Sequence, residues 1–371
     1  MTEKLKQIHS RLQDATNLLA AKNIAAGFDG FVDSIVKIVN YKAEDTGTVF
    51  FKTIAEFGNY ISGKSGSGFS LESEELLQKL GGNMPIMANA IAQMGGKVAC
   101  VGAFGVPNIA SAFVEMHPNC SLHSFTNPGF TNAMEFADGK IMLAQMTDLN
   151  HADWDTIKNA IGRDKLKDIF TNANLVCLVN WSELDHSNNV WEGLLDDVFA
   201  EDQNNIQRQF FFDLSDCSKR SQEAISLAIK LIKQFGKHGE VTLSLNRNEA
   251  GILHKTLTKG NESADLQATG DGLFKFLGVN ILIIHTSKTS LAWDKNGSYH
   301  HQPAFIVEPK ISTGAGDNFN AGFCMAQMLG LDAELSLMMA NMTANCYINS
   351  GKSPDITSLS LYISELIIAS L

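Results

Sequence analysis

Residues 311–330 read ISTGAGDNFNAGFCMAQMLG. Gly314, Ala315 and Gly316 stand immediately before Asp317, and the residues that follow (Phe319, Phe323, Ala326, Met328, Leu329) are apolar enough for a buried helix. Small residues let backbone N–H groups close in on an oxyanion, and a helix N-terminus adds a field that favours negative charge. Phosphoryl transfer spreads charge over equatorial oxygens, so it needs positioned donors of this kind more than covalent help. Asp317 beside them is suited to accept the proton of an attacking hydroxyl. A Gly-rich turn with an N-cap Asp is common in any α/β protein, and on these four residues alone it is the favoured reading.

Working outward, short apolar runs rich in β-branched or aromatic residues recur at Ile24–Phe28, Lys97–Val101, Leu175–Val179, Gln209–Phe212, Val241–Leu245 and Ile281–His285. Such runs suit strands buried on both faces. Between them lie segments with helical spacing, as in Ser221–Phe235, where Ile225, Ala228, Ile232 and Phe235 recur every three or four residues. Alternating strand and helix predict an α/β fold with a mainly parallel sheet covered on both sides. Ligands of such sheets sit beyond the carboxyl ends of the strands. Two stretches break the alternation. Residues 34–80 contain SGKSGSGFSLES, which reads as a mobile loop. Residues 120–147 read as a β-hairpin turning at Asp138-Gly139, either a lid over the crevice or an edge decoration.

Composition narrows the partners. The 371 residues are 44% hydrophobic and 19% charged, enough apolar content for a substantial core. Forty acidic against 29 basic side chains give a net charge of −11, which argues against a nucleic-acid surface and against anionic membranes. The six cysteines show no metal-ligand spacing, and Cys100, Cys177 and Cys324 lie in apolar runs, so a reducing compartment is expected. The N-terminal text is a polar amphipathic helix without a hydrophobic signal core, which points to a cytoplasmic protein.

The full string TGAGDNFNAGF closely resembles the C-terminal signature of the PfkB, or ribokinase-like, carbohydrate kinase superfamily. The resemblance implies Asp317 as general base and Gly314, Ala315 and Gly316 as anion hole, with Thr313 beside the phosphates. Three further segments match in order. In GFDGFVDSI (27–35), Asp33 takes the position that grips acceptor hydroxyls; Asp29 is a second candidate, with a turn-stabilising role as its alternative. In LGGNMPIMANAIAQMGG (80–96), Gly82 and Asn83 would touch the acceptor, while Asn89 is either site or scaffold. In SLNRNEAGIL (244–253), Asn246 would lie near the nucleotide phosphates and Glu249 would organise Mg2+ through water. Asp213, ending a strand in FFDLSDCSKR, fits an acidic turn of the family or a solvent-facing cap.

The resemblance spans residues 24 to about 345. It implies one three-layer kinase domain over 1–371, with a small β lid from parts of about 34–60 and 120–147. It also implies a sugar or nucleoside acceptor, ATP or ADP as donor, and a homodimer through the lid. Two departures stand out. Ile311 occupies a position commonly held by Asp, and IIHTSKTSLAW (283–293) lacks the glycines of the usual nucleotide turn, leaving Thr286 as a candidate on the phosphate side and Lys288 either near a phosphate or, by default, an exposed lysine. These departures, with GFDGFVDSI and GGNMPIMANAIA, are similar to the ADP-dependent branch, although ATP is the commoner donor. Two other classes compete. A silent binding protein is opposed by the presence of Asp317, Asn246 and Glu249 together, and a Rossmann oxidoreductase by the lack of an early G-x-G-x-x-G turn.

Overall fold

Phe210, Phe211 and Phe212 follow one another in the run QFFFD, and all three are buried. Successive side chains of a strand point to opposite faces, so both faces must be covered. Phe210 and Phe212 indeed join one apolar cluster and Phe211 the other. The structure, a computed structural model, describes residues 2–45, 47–204, 206–258, 265–303 and 309–370.

In chain order the strands are β1 (Ile24–Gly27), β2 (Phe31–Ala43), β3 (Gly47–Phe50), β4 (Ser73–Gly81), β5 (Val98–Gly102), β6 (Cys120–Ser124), β7 (Gly129–Phe136) and β8 (Gly139–Gln145). They continue with β9 (Leu175–Leu178), β10 (Gln209–Asp213), β11 (Glu240–Asn246), β12 (Ile281–His285), β13 (Ser290–Asp294) and β14 (Gly297–His301). A nine-stranded sheet runs β14-β13-β12-β11-β10-β9-β1-β5-β6. From β12 to β6 every pairing is parallel; β13 and β14 add an antiparallel edge. The six apolar runs read from sequence are the six central strands. The order reverses at β1, which has β9 on one side and β5 on the other, and a crevice forms at such a switch point.

One face is covered by helices that include Gln222–Phe235, Arg247–Thr258 and Leu266–Leu277. The other carries Asn83–Gln93, Ala315–Met328, Ala333–Ser350, Ile356–Ala369 and the N-terminal helix Thr2–Gln13, which buries Leu5, Ile8 and Leu12. Among the described residues no helix is long and apolar enough to cross a membrane.

The chain leaves β1 for a second, five-stranded sheet and crosses the first at Gly30. A Cβ there would stand 2.1 Å from the Ala103 carbonyl oxygen, so only glycine fits. In this sheet β2 pairs with β3 and β4 antiparallel and with β7 in parallel, and β7 with β8 forms a hairpin around Asp138-Gly139. Val36, Ile38, Phe51, Phe57 and Met134 make a small core of its own beneath the helix Ile54–Gly63.

Residues 34–80 are more structured than their polar text implies: they hold most of β2, all of β3, a helix and most of β4, while the stretch SGKSGSGFSLES (62–73), read as a loop, lacks regular structure over 64–72. β4 (SEELLQKLG) is exposed along most of its length, so it carries no apolar alternation by which to be recognised. The hairpin is also shorter than 120–147, because Cys120–Ser124 is the edge strand of the large sheet.

Candidate active site

A cavity of about 680 Å³ opens where the carboxyl ends of β9 to β12 meet the second sheet. Asn180, Asp213, Asn246 and His285 reach it from the strand ends, and Asp33 and Thr131 face it from β2 and β7. The remaining wall is the N-terminus of the helix Ala315–Met328.

That helix begins at Gly314, whose φ of 88° lies in the left-handed region, and no side chain caps it. The Ala315 N–H is used locally, donating to the Ser312 carbonyl at 3.1 Å. The amides of Gly314 and Gly316 have no hydrogen-bond partner among the described residues. Of the three amides, those of Gly314 and Gly316 are therefore available to an anion, and that of Ala315 is already engaged. Asp317, in the first turn, has its carboxyl pushed well above the usual carboxylate range by burial, then by Asp213 and Asp29.

Asn246 and Glu249 form a reciprocal cap on the helix Arg247–Thr258. The Glu249 N–H donates to Asn246 Oδ1 at 3.0 Å, and the Asn246 N–H donates to Glu249 Oε2 at 2.7 Å. This fold-level duty aims the Glu249 carboxyl into the cavity. Burial, then Asp213 and Asp216, push it up to about 9. Four carboxyls thus converge on one wall, and the lysine that lines the cavity, Lys219, is already paired with Glu183. A cation suits this arrangement, but among the described residues no three His, Cys, Asp or Glu side chains are grouped to hold one directly. A hard ion keeping most of its waters fits such a wall.

Beneath the floor runs a chain of buried polar groups. Asp29 is 0% exposed; its Oδ1 accepts from the Met84 N–H at 2.9 Å and its Oδ2 from Asn180 Nδ2 at 2.5 Å. Asn180 Oδ1 accepts from the Ser215 hydroxyl at 2.9 Å, and Asn83 Nδ2 donates to the same Ser215 oxygen at 2.9 Å. The Ser215 N–H donates to Asp213 Oδ1 at 2.8 Å, and Asn320 Nδ2 donates to Asp213 Oδ2 at 2.7 Å. The Ser244 hydroxyl closes the chain on Asn320 Oδ1 at 2.8 Å.

Of the residues singled out in sequence, Asp33, Gly82, Asn83, Asn246, Glu249, Thr313, Gly314, Gly316 and Asp317 line one cavity, with Asp213. Asp29 does not line it: burial pushes its carboxyl to about 7, and it anchors the N-terminus of the helix Asn83–Gln93. A Cβ on Gly82 would meet that carboxyl at 2.6 Å. Thr286 closes a turn on Thr289 and stays out of the wall, and Lys288 is exposed. Asn89 accepts from the His117 N–H at 2.8 Å, and Ile311 lines a separate cavity. The strand-end residue at the wall is His285, passed over in favour of its neighbour Thr286. Its ring packs on Phe319 with centroids 4.8 Å apart, and burial lowers it to about 4, so it is neutral at physiological pH. The rule that ligands gather just beyond strand ends pointed to it; nothing in the sequence pointed to Asn180, Ser215 or Asn320.

Comparison with known proteins agrees with this geometry. The family model for prokaryotic ketohexokinase matches residues 4–366. A ketohexokinase from Haloferax volcanii is 27% identical over 340 residues, 91% of this chain and 90% of that protein. A ribokinase from Bacillus subtilis is 33% identical over 108 residues, 29% of this chain and 33% of that protein. Among solved structures, Arabidopsis thaliana ribokinase complexed with ribose and ATP superposes with a TM-score of 0.62 at 16% identity, covering 92% of this chain and 98% of that one. A ribokinase from Thermotoga maritima gives 0.59 at 15% identity, with 92% and 99% covered. The strand order, the glycine-opened helix with Asp317 in its first turn, and a family match over nearly the whole length lead to one conclusion: the chain belongs to the prokaryotic ketohexokinase family and is a ribokinase-like, PfkB-type carbohydrate kinase.

Proposed function

We propose that this kinase transfers the terminal phosphoryl group of ATP to a hydroxyl of an uncharged ketohexose. The observation that carries the reading is the meeting, in one cavity, of the unpartnered Gly314 and Gly316 amides, the Asp317 carboxyl and the Asp33 carboxyl. The amides face the charge that develops on the transferring phosphoryl group. Asp317 takes the proton of the attacking hydroxyl. Asp33 is buried on β2, and burial raises it against the opposing pull of Lys79 and a hydrogen bond with Thr131. Its carboxyl oxygens can accept from sugar hydroxyls. Thr313 and Asn246 stand on the phosphate side, and Mg2+ held through water by Glu249 would neutralise phosphate charge there.

The charge of the lining supports a neutral acceptor. Six carboxyls (Asp33, Glu183, Asp213, Asp216, Glu249, Asp317) face the cavity, and its lysine is paired, so a second phosphate on the sugar would meet repulsion. The likeness to a Haloferax protein named ketohexokinase supports a ketohexose as acceptor, and the likeness to an Arabidopsis ribokinase complexed with ribose and ATP supports ATP as donor. The second sheet acts as a lid in this reading. Leu77 and Met142, about half exposed on it at 54% and 49%, suit a lid-to-lid homodimer. Six free cysteines fit a cytoplasmic setting.

Initial rates with ATP or ADP, Mg2+ and a panel of ketohexoses, aldoses, nucleosides and sugar phosphates test the reading. ATP with a ketohexose gives the highest kcat/KM; a preference for ADP or for a phosphorylated acceptor refutes that part. Asp317→Asn, nearly isosteric, keeps ligand binding and loses about 10²–10⁴ in rate. Turnover within twofold of wild type, with chemistry limiting, removes Asp317 as the base. Asp33→Ala weakens acceptor binding by about tenfold or more and leaves nucleotide binding unchanged in calorimetric titration. Unaltered sugar affinity would take Asp33 out of the site. Sedimentation at micromolar concentration shows a dimer that Leu77→Glu dissociates; a wild-type monomer discards the lid contact.

A further inference from the structure

Tyr347 lies near the C-terminal end of the helix Ala333–Ser350, 8% exposed, on the far side of the Thr313–Gly314 peptide from the active cavity. Its hydroxyl donates to the Thr313 carbonyl oxygen at 2.8 Å. We propose that Tyr347 is a positioning residue for phosphoryl transfer, holding the Thr313–Gly314 peptide so that the Gly314 N–H points into the active cavity. The inference rests on the reading of Gly314 and Gly316 as the anion-binding donors.

The carbonyl and N–H of one trans peptide point to opposite sides of the chain. Drawing the Thr313 carbonyl back toward Tyr347 therefore turns the Gly314 N–H the other way, and Gly314 lines the active cavity while Tyr347 lines the separate one behind it. The Gly314 N–H has no partner of its own among the described residues, so nothing else sets the tilt of this peptide from the donor side. Glycine at φ 88° is free to rotate, and its freedom is what the hydroxyl removes. The fit is close: a Cβ on Gly314 would stand 2.9 Å from the Tyr347 oxygen and 3.4 Å from Ile86, leaving no room for an intervening water. One turn away, the Lys310 N–H donates to the Ile348 carbonyl at 3.0 Å, so the same helix end grips the segment on both sides of Ile311. Burial, then the Asp317 carboxyl, push Tyr347 upward, so it stays a protonated donor throughout the working pH range.

A core tyrosine that only fills space would satisfy burial but would not need its hydroxyl. Tyr347→Phe keeps the ring and removes only the donor. Its single-turnover rate, measured by rapid quench with saturating ATP and fructose as the ketohexose probe, falls about tenfold, the scale of one lost hydrogen bond. KM for both substrates stays within twofold and the melting temperature within about two degrees. Inhibition by ADP with aluminium fluoride, which mimics the transferring group, weakens by the same factor as the rate, while ADP alone binds unchanged. A Tyr347→Phe rate within twofold of wild type overturns the proposal, and so does a rate loss matched by lower thermal stability and weaker binding of both substrates. Asp317→Asn measured alongside separates the two failures. If it is inactive while Tyr347→Phe is normal, only the positioning role falls; if it too is active, the reading of the whole site falls.

Discussion

Asp29 is a carboxyl with no exposed surface, and the groups it binds decide where the cavity forms. Through Met84 it fixes the start of one helix, and through Asn180, Ser215 and Asp213 it reaches Asn320, three residues after Asp317 on another. Each member of this chain would cost about 1–3 kcal/mol if left buried without its partner. Moving one member leaves its neighbours unsatisfied, so the strand ends β1, β9, β10 and β11 and two helix starts are held as one unit. Asn180 and Ser215 adopt φ of 63° and 56°, unusual for residues with side chains, and the hydrogen bonds they make are what hold them there.

The same chain brings negative charge together. Asp213 sits between the scaffold and the cavity, its oxygens satisfied by Ser215 and Asn320, and its charge raises both Asp317 and Glu249. A wall of carboxyls without a paired cation is poor for stability and useful for chemistry. Burial raises Asp213, Asp317 and Glu249, and a base with a raised pKa, the role proposed for Asp317, is better matched to neutral pH than an ordinary aspartate. In the proposed reading, preorganised amides serve on one side and carboxyls on the other, with Tyr347 and the Asn246–Glu249 cap setting the direction of each.

The two sheets divide the labour. The large sheet supplies strand-end residues whose places are fixed by parallel register, such as Asn246 opposite His285. The smaller sheet presents Asp33 and Thr131 side by side, paired across β2 and β7. The second sheet has its own small core at Val36, Ile38, Phe51, Phe57 and Met134, and Phe31 and Val32 of β2 tie it to the two main clusters.

The amino-acid sequence by itself determined the elements whose residues act locally. Six doubly buried strands announce themselves as continuous apolar runs, because both faces must be apolar. The small-residue turn before Asp317 and the N-x-x-E cap are likewise legible, since each is a short-range backbone requirement written into adjacent positions. What only the tertiary structure decided is what depends on contacts between distant segments. The strand β4, exposed along most of its length on both faces, exists because β2 pairs with it. Asp29 became scaffold because Asn180, 151 residues away, takes its second oxygen. His285 stands at the wall in place of Thr286 because a strand's alternation aims one of two neighbours inward, and sequence does not say where the strand ends. Ala315 lost its amide to Ser312, and Thr313 gained Tyr347, through geometry that no spacing rule contains. Short-range constraints leave patterns in the text; long-range ones are satisfied by whichever residues the fold brings together.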